Sequence, residues 1–271
     1  MSEHQQKTLT DDQVAAYLAR IAVSGDAEPT AATLRELQLQ HLRTVPFENL
    51  SIHLDEPISL ALTDLFAKVV EDRRGGFCYE LNGLFAALLR ALGYHVQLFS
   101  CAVHGPHDLG PPFDHLALSV GTSDDSRRWL VDVGFGRHSA YPLQLDTPGD
   151  QDDPLGVFRL RALANGDVDV CRDDRPQYRI EPRARALSDF EPTCWWQQTR
   201  PGSHFRAGPV CSLLTPSGGL LTLAGHLLIR TEGGERTETT LASDAEVLAA
   251  YEQHFGVLLA TVPLPVEGTD K

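Results

Sequence analysis

Basic residues are in deficit: 23 Lys and Arg against 37 Asp and Glu leave a formal net charge of −14. So acidic a chain has no broad positive surface for nucleic acid, although a small anionic substrate in a local positive pocket stays open. Long apolar runs are also missing. No stretch approaches a membrane span, and Met1-Ser2-Glu3-His4-Gln5-Gln6-Lys7 lacks the apolar core of a signal peptide. No membrane association and a cytoplasmic location are therefore expected.

The five cysteines, at 78, 101, 171, 194 and 211, contain no CxxC pair. That argues against a zinc or dithiol site, predicts no metal, and fits free thiols in a reducing compartment. There is no GxxxxGK[ST] phosphate loop, no internal repeat and no low-complexity tract. Asn49-Leu50-Ser51 matches the glycosylation pattern by chance, since a chain without a secretory signal does not meet that machinery. The hydrophobic fraction of 42% and charged fraction of 22% are those of a globular protein, and 271 residues allow two or three packed domains.

What is present centres on Arg73-Arg74-Gly75-Gly76-Phe77-Cys78-Tyr79-Glu80-Leu81-Asn82-Gly83. Apolar residues then recur at Leu81, Leu84, Phe85, Leu88 and Leu92, a helical stripe closed by Gly93. Cys78 is thus expected at a helix N-terminus, where backbone N–H groups, the helix dipole and the two arginines would favour a thiolate. A small buried hydrophobe is the plainer alternative, and structural salt bridges are the preferred reading of Arg73 and Arg74 over a catalytic role.

Around this stretch the chain reads as helices, then strands, then a mixed segment. Thr10 with Gln13 predicts a capping box, Thr30 caps a second helix ended by Pro46, and Leu62 to Val70 gives a third. Strands are expected near 96–103, 115–120, 129–133, 157–163, 168–171 and 178–180, with 146–154 a surface loop. A meander over 213–230 and a helix capped by Ser243 and Glu246, stopped by Gly256, complete the chain. Domain limits fall at 1–95, 96–200 and 201–271.

The run Trp129-Leu130-Val131-Asp132-Val133 places a carboxylate among apolar neighbours, where it needs a partner. A hairpin centred between Ser123 and Asp124 would set His115 directly across from Asp132, on one face of the sheet. A structural pair and a Cys, His, Asp triad with Cys78 both fit that geometry.

Pro46-Phe47-Glu48-Asn49-Leu50, the Cys78 stretch, Asp114-His115 and Leu130-Val131-Asp132-Val133-Gly134-Phe135-Gly136 together resemble the ordered motifs of the arylamine N-acetyltransferases. The resemblance, strongest over 45–136, implies an α+β fold: an N-terminal helical bundle, a central β-barrel-like domain and a C-terminal α/β lid around a cysteine-protease-like core. It implies transfer of acetyl from acetyl-CoA, a co-substrate and not a resident cofactor, to an arylamine, arylhydrazine or arylhydroxylamine. Cys78, His115 and Asp132 fall on the catalytic positions of a ping-pong mechanism. Phe47, Phe135 and Phe205 fall on the acceptor pocket. Gly136 and Gly208 fall on coenzyme contacts, and the N–H of Leu116 joins that of Cys78 at the donor's carbonyl oxygen. Tyr79 and Leu81 depart from the pattern, and 141–200 shows little resemblance.

Three rival readings stand beside this one. An amide synthase of the same fold would use the same triad. A transglutaminase-like or papain-like enzyme is disfavoured by the missing CGSC[WY] signature. In a non-enzymatic binding protein Cys78 would be core. A homo-oligomer is compatible with the sequence, and His138, His204 and His226 stay unassigned.

Overall fold

A computed structural model describes residues 8–25 and 27–266, so the reading of Met1 to Lys7 lies outside the described residues. Helix α1 (Asp11–Arg20) begins with the full Thr10–Gln13 capping box, and α2 (Ala31–Thr44) is capped by the Thr30 hydroxyl. Short β1 (Phe47–Glu48), α3 (Leu50–His53) and α4 (Leu62–Phe66), which runs on as a π turn over Ala67–Glu71, lead to α5 (Cys78–Ala91). Helix α5 is apolar on more than a stripe: every residue from Cys78 to Ala86 is buried. It packs on the next two strands on one side and on α1 and α4 on the other, as an all-round apolar helix must.

Eight strands form the central barrel-like sheet. They are β2 (His95–Val103), β3 (His115–Gly121), β4 (Arg128–Val131), β5 (Leu143–Gln144), β6 (Asp150–Asp153), β7 (Gly156–Ala162), β8 (Val168–Arg172) and β9 (Arg175–Arg185). Their order is β5-β4-β3-β2-β9-β8-β7-β6, antiparallel throughout. Helix α6 (Glu191–Thr199) then leads to β10 (Val210–Leu214), β11 (Leu220–Ala224), β12 (Leu227–Glu232) and β13 (Glu235–Thr240). With β1 on its edge this meander makes a second, five-stranded sheet, covered by α7 (Asp244–Ala250). The whole is α+β.

Three local expectations are corrected. The 146–154 segment is not all loop, because Asp150–Asp153 pairs with β7 as an edge strand. The Ser243 cap is half a box: its hydroxyl accepts from Glu246 N, but the Glu246 carboxylate accepts from Ala242 N. The β3–β4 register pairs Leu118 with Val131 and Gly121 with Arg128, two residues away from the expected one. Continued past the end of β4, that register sets Asp132 across from Ala117. Side chains alternate with a period of two, so the offset leaves His115 and Asp132 on the same face as diagonal neighbours.

Candidate active site

Two glycines bring the Cys78 helix against the Pro46–Glu48 segment. A Cβ on Gly75 would collide with the Pro46 carbonyl oxygen, and Gly76 O accepts from Glu48 N at 2.9 Å. The helix then opens with Glu80 Oε2 accepting from Phe77 N at 3.1 Å, while Glu80 Oε1 binds Lys68 Nζ at 2.6 Å. Arg74 turns away from the cysteine. Its guanidinium bonds buried Glu48 at 3.1 Å and Glu56 at 3.1 Å, which makes it structural, and Arg73 makes no ion pair among the described residues. Arg74 thus takes the structural part expected of it, and neither arginine contributes to the Cys78 shift.

His115 Nε2 lies 2.7 Å from Asp132 Oδ2, both residues buried. The carboxylate is fully bonded. Oδ1 accepts from Asn82 Nδ2 at 2.9 Å and Gly134 N at 2.9 Å, and Oδ2 also accepts from the Tyr178 hydroxyl at 3.2 Å. Asn82, one turn along α5 from Cys78, cannot flip its amide. Its oxygen accepts from Val133 N at 2.9 Å and its nitrogen also donates to Leu116 O at 2.6 Å. Behind Tyr178 stands a second buried imidazole, His138, 3.2 Å from the phenol. Gly134 closes the assembly, since a Cβ there would lie 2.7 Å from Cys78 Cα and 2.8 Å from Asn82 Nδ2.

The electrostatics follow from burial. Burial pushes the Cys78 thiol well above its usual range; the Leu116 N–H bonded to it pulls the other way, and the charge of Asp132 adds to the rise. Burial also opposes charge on Asp132, but His115 beside it, bonded through Nε2, holds the carboxyl well below the usual carboxylate range, with His138 and Asn82 contributing. His138 is pushed down to about 4, mainly by burial. Burial thus favours the thiol over the thiolate at Cys78. With Nε2 committed to Asp132, Nδ1 of His115 is the ring nitrogen left to take a proton.

Cys78 and His115 open into one cleft of about 320 Å³, and Phe47, Phe135 and Phe205 line it. Asn49 fixes the Phe205 segment, donating to Phe205 O at 2.8 Å and Gly208 O at 2.9 Å and accepting from Val210 N at 2.7 Å. So buried an asparagine is no glycosylation site. A second cleft of about 500 Å³ shares Phe47, Phe135 and Val210 with the first. It is lined by Gly136 and by Arg137, Arg172 and Arg236, three cations the sequence reading missed. Neither Arg137 nor Arg172 forms an ion pair with a carboxylate among the described residues. Gly208 lines neither cleft, and Leu116 reaches the site through its N–H alone, its side chain being buried in the helix-facing core.

Asp114 and His204 also line the first cleft, and Tyr178 sits behind Asp132; these too went unassigned from sequence. No group of three or more His, Cys, Asp or Glu side chains is placed to hold a metal among the described residues. No helix there is long and apolar enough to cross a membrane.

Comparison with known proteins gives this geometry a family. Residues 30–263 match the family model described as N-acetyltransferase. The arylamine N-acetyltransferase of Escherichia coli is 35% identical over 250 residues, covering 89% of this chain and 87% of the relative. A solved arylamine N-acetyltransferase from Mycolicibacterium smegmatis superposes with a TM-score of 0.85 at 32% identity, covering 92% of this chain and 93% of that one. The Mycobacterium marinum enzyme, solved in complex with CoA, gives 0.82 at 30% identity, covering 90% and 92%. The chain belongs to the arylamine N-acetyltransferase family of acyltransferases.

Proposed function

We propose that the protein moves an acetyl group from acetyl-CoA to the nitrogen of an arylamine, arylhydrazine or arylhydroxylamine, through an acetyl-Cys78 intermediate. The observation that carries this reading is the 2.7 Å His115–Asp132 pair opening into the same aromatic cleft as Cys78. Asp132 fixes the proton of His115 on Nε2, so Nδ1 accepts the thiol proton as Sγ attacks the thioester carbonyl. The buried thiol resists ionising alone, so the attack depends on His115 taking its proton. In this reading the N–H groups of Leu116, which is bonded to the resting thiol, and of Cys78 serve as the donors to the developing oxyanion. CoA leaves as the thiol, taking the proton from His115. The amine then attacks the thioester carbon of acetyl-Cys78, His115 removes its proton, and the Cys78 thiol is restored.

The two clefts divide the donor and the acceptor. Arg137, Arg172 and Arg236 supply positive charge for the phosphates of CoA, as a net-acidic protein needs for an anionic donor. Phe47, Phe135 and Phe205 supply ring contacts for the arene. A cleft of about 320 Å³ is at the small end for ligand sites, which suits one arene better than a polyketide chain. The free cysteines fit a reducing compartment, the cytoplasm. Steady-state kinetics with acetyl-CoA and aniline test the order: parallel double-reciprocal lines are expected, and intersecting lines would mean direct transfer in a ternary complex.

A further inference from the structure

Among the described residues the acceptor cleft contains a single carboxylate, Asp114, and neither Lys nor Arg lines it. Its one imidazole outside the triad, His204, is pushed below its usual range by burial against the pull of Asp114, while burial pushes Asp114 up against the pull of His204, His115, the Val103 N–H and Gln197. Asp114 is held in place. Oδ1 accepts from Gln197 Nε2 at 2.6 Å, the carboxylate also accepts from the Val103 backbone N–H, and the Asp114 carbonyl accepts from the Tyr79 hydroxyl at 3.2 Å. Gln197 in turn accepts from Ser203 Oγ at 2.9 Å, and Ser203 caps the short turn carrying His204 and Phe205. The carboxylate is thus pre-positioned by buried Gln197 and Ser203 on the wall beside His115, and it belongs to none of the proton-transfer steps above.

Building on the acetyl-transfer reading, we propose that Asp114 is a specificity-determining residue that rejects acceptors carrying a carboxylate and favours those carrying a cation or an N–H donor. An anionic ring substituent placed in this cleft meets a like charge with no Lys or Arg among the described residues to offset it, whereas an ammonium or amide N–H gains a partner.

The test compares kcat/KM, at saturating acetyl-CoA, for 4-aminobenzoate, aniline and 4-amino-N-(2-diethylaminoethyl)benzamide, whose tertiary amine cannot itself be acetylated. The wild type should prefer the cationic acceptor over the anionic one. Neutralising Asp114 as Asp114→Asn should shrink that preference by about tenfold or more, the size of a unit-charge interaction in a partly solvated site. Asp114→Glu should retain it. Asp114→Ser serves as a second neutral variant should the Asn protein fail to fold. An unchanged ratio in a folded neutral variant, with Cys78 still acetylated, would overturn the assignment of Asp114 alone. Acetylation of none of the three by the wild type would overturn the acetyl-transfer reading, and this inference with it.

Discussion

Replacing Asp132 by Asn changes one atom, and the surrounding donors dictate where the new amide must point. Oδ1 faces two groups that can only donate: Gly134 N at 2.9 Å, and Asn82 Nδ2 at 2.9 Å, whose orientation is fixed because Asn82 Oδ1 accepts from Val133 N. The amide oxygen of the Asp132→Asn variant must stay there. Its NH2 then faces His115 Nε2, at the 2.7 Å position, and donates to it. That forces the imidazole proton onto Nδ1, so the ring offers Cys78 an N–H where it needs a lone pair. A wrong tautomer in an intact triad costs on the order of 10⁴ in rate, or about 5 kcal/mol of transition-state stabilisation. Acetyl transfer to aniline and alkylation of Cys78 by iodoacetamide at pH 7 should fall together. A variant that keeps activity within about tenfold, or alkylates as fast as wild type, would refute the tautomer argument.

Further expectations rest on close packing and on buried imidazoles. Gly134→Ala places a methyl 2.7 Å from Cys78 Cα, so about 1–3 kcal/mol of stability and about 100-fold in activity should be lost. Gly208→Ala meets nothing within 4 Å, and its thermal midpoint should match wild type; the reverse order of midpoints would contradict the close-approach account. Burial depresses His138 to about 4 and His41 to about 3 from an ordinary 6.5. Between those values and pH 6.5 the unfolded chain binds protons that the folded one does not, so stability falls as pH falls through this window. Each imidazole should account for a loss of about 2 kcal/mol by pH 5, and denaturant melts of His138→Gln should show a shallower slope than wild type. Equal slopes would mean that His138 carries its proton in the fold.

The features legible in the sequence are those set by near neighbours. The Thr10 box, the Thr30 cap, the Gly93 and Gly256 stops and the apolar run of α5 depend on residues within a turn or so of each other. The shared face of His115 and Asp132 was readable because a buried carboxylate demands a partner. Their register was not, since the polar turn between β3 and β4 accommodates centres one residue apart equally well. Distance along the chain hid the rest. Arg74 sits four residues before Cys78 but finds Glu48 and Glu56, and Arg137, Arg172 and Arg236 meet only after the barrel-like sheet and the meander have folded. Edge strand β6 was obscured by its acidic composition; its Asp150 pairs with Arg159 across the ladder, and its Asp153 accepts from Ala140 and Tyr141 N–H groups.

The central claim is that Cys78 carries the acetyl group. Its most direct test is a peptide mass spectrum taken after mixing the protein with acetyl-CoA and no amine, alongside Cys78→Ala. The account predicts one added acetyl group on the Cys78 peptide, absent from the variant and discharged when aniline is added. Amine acetylation by a folded Cys78→Ala protein, or an acetyl group found only on another residue, would contradict it.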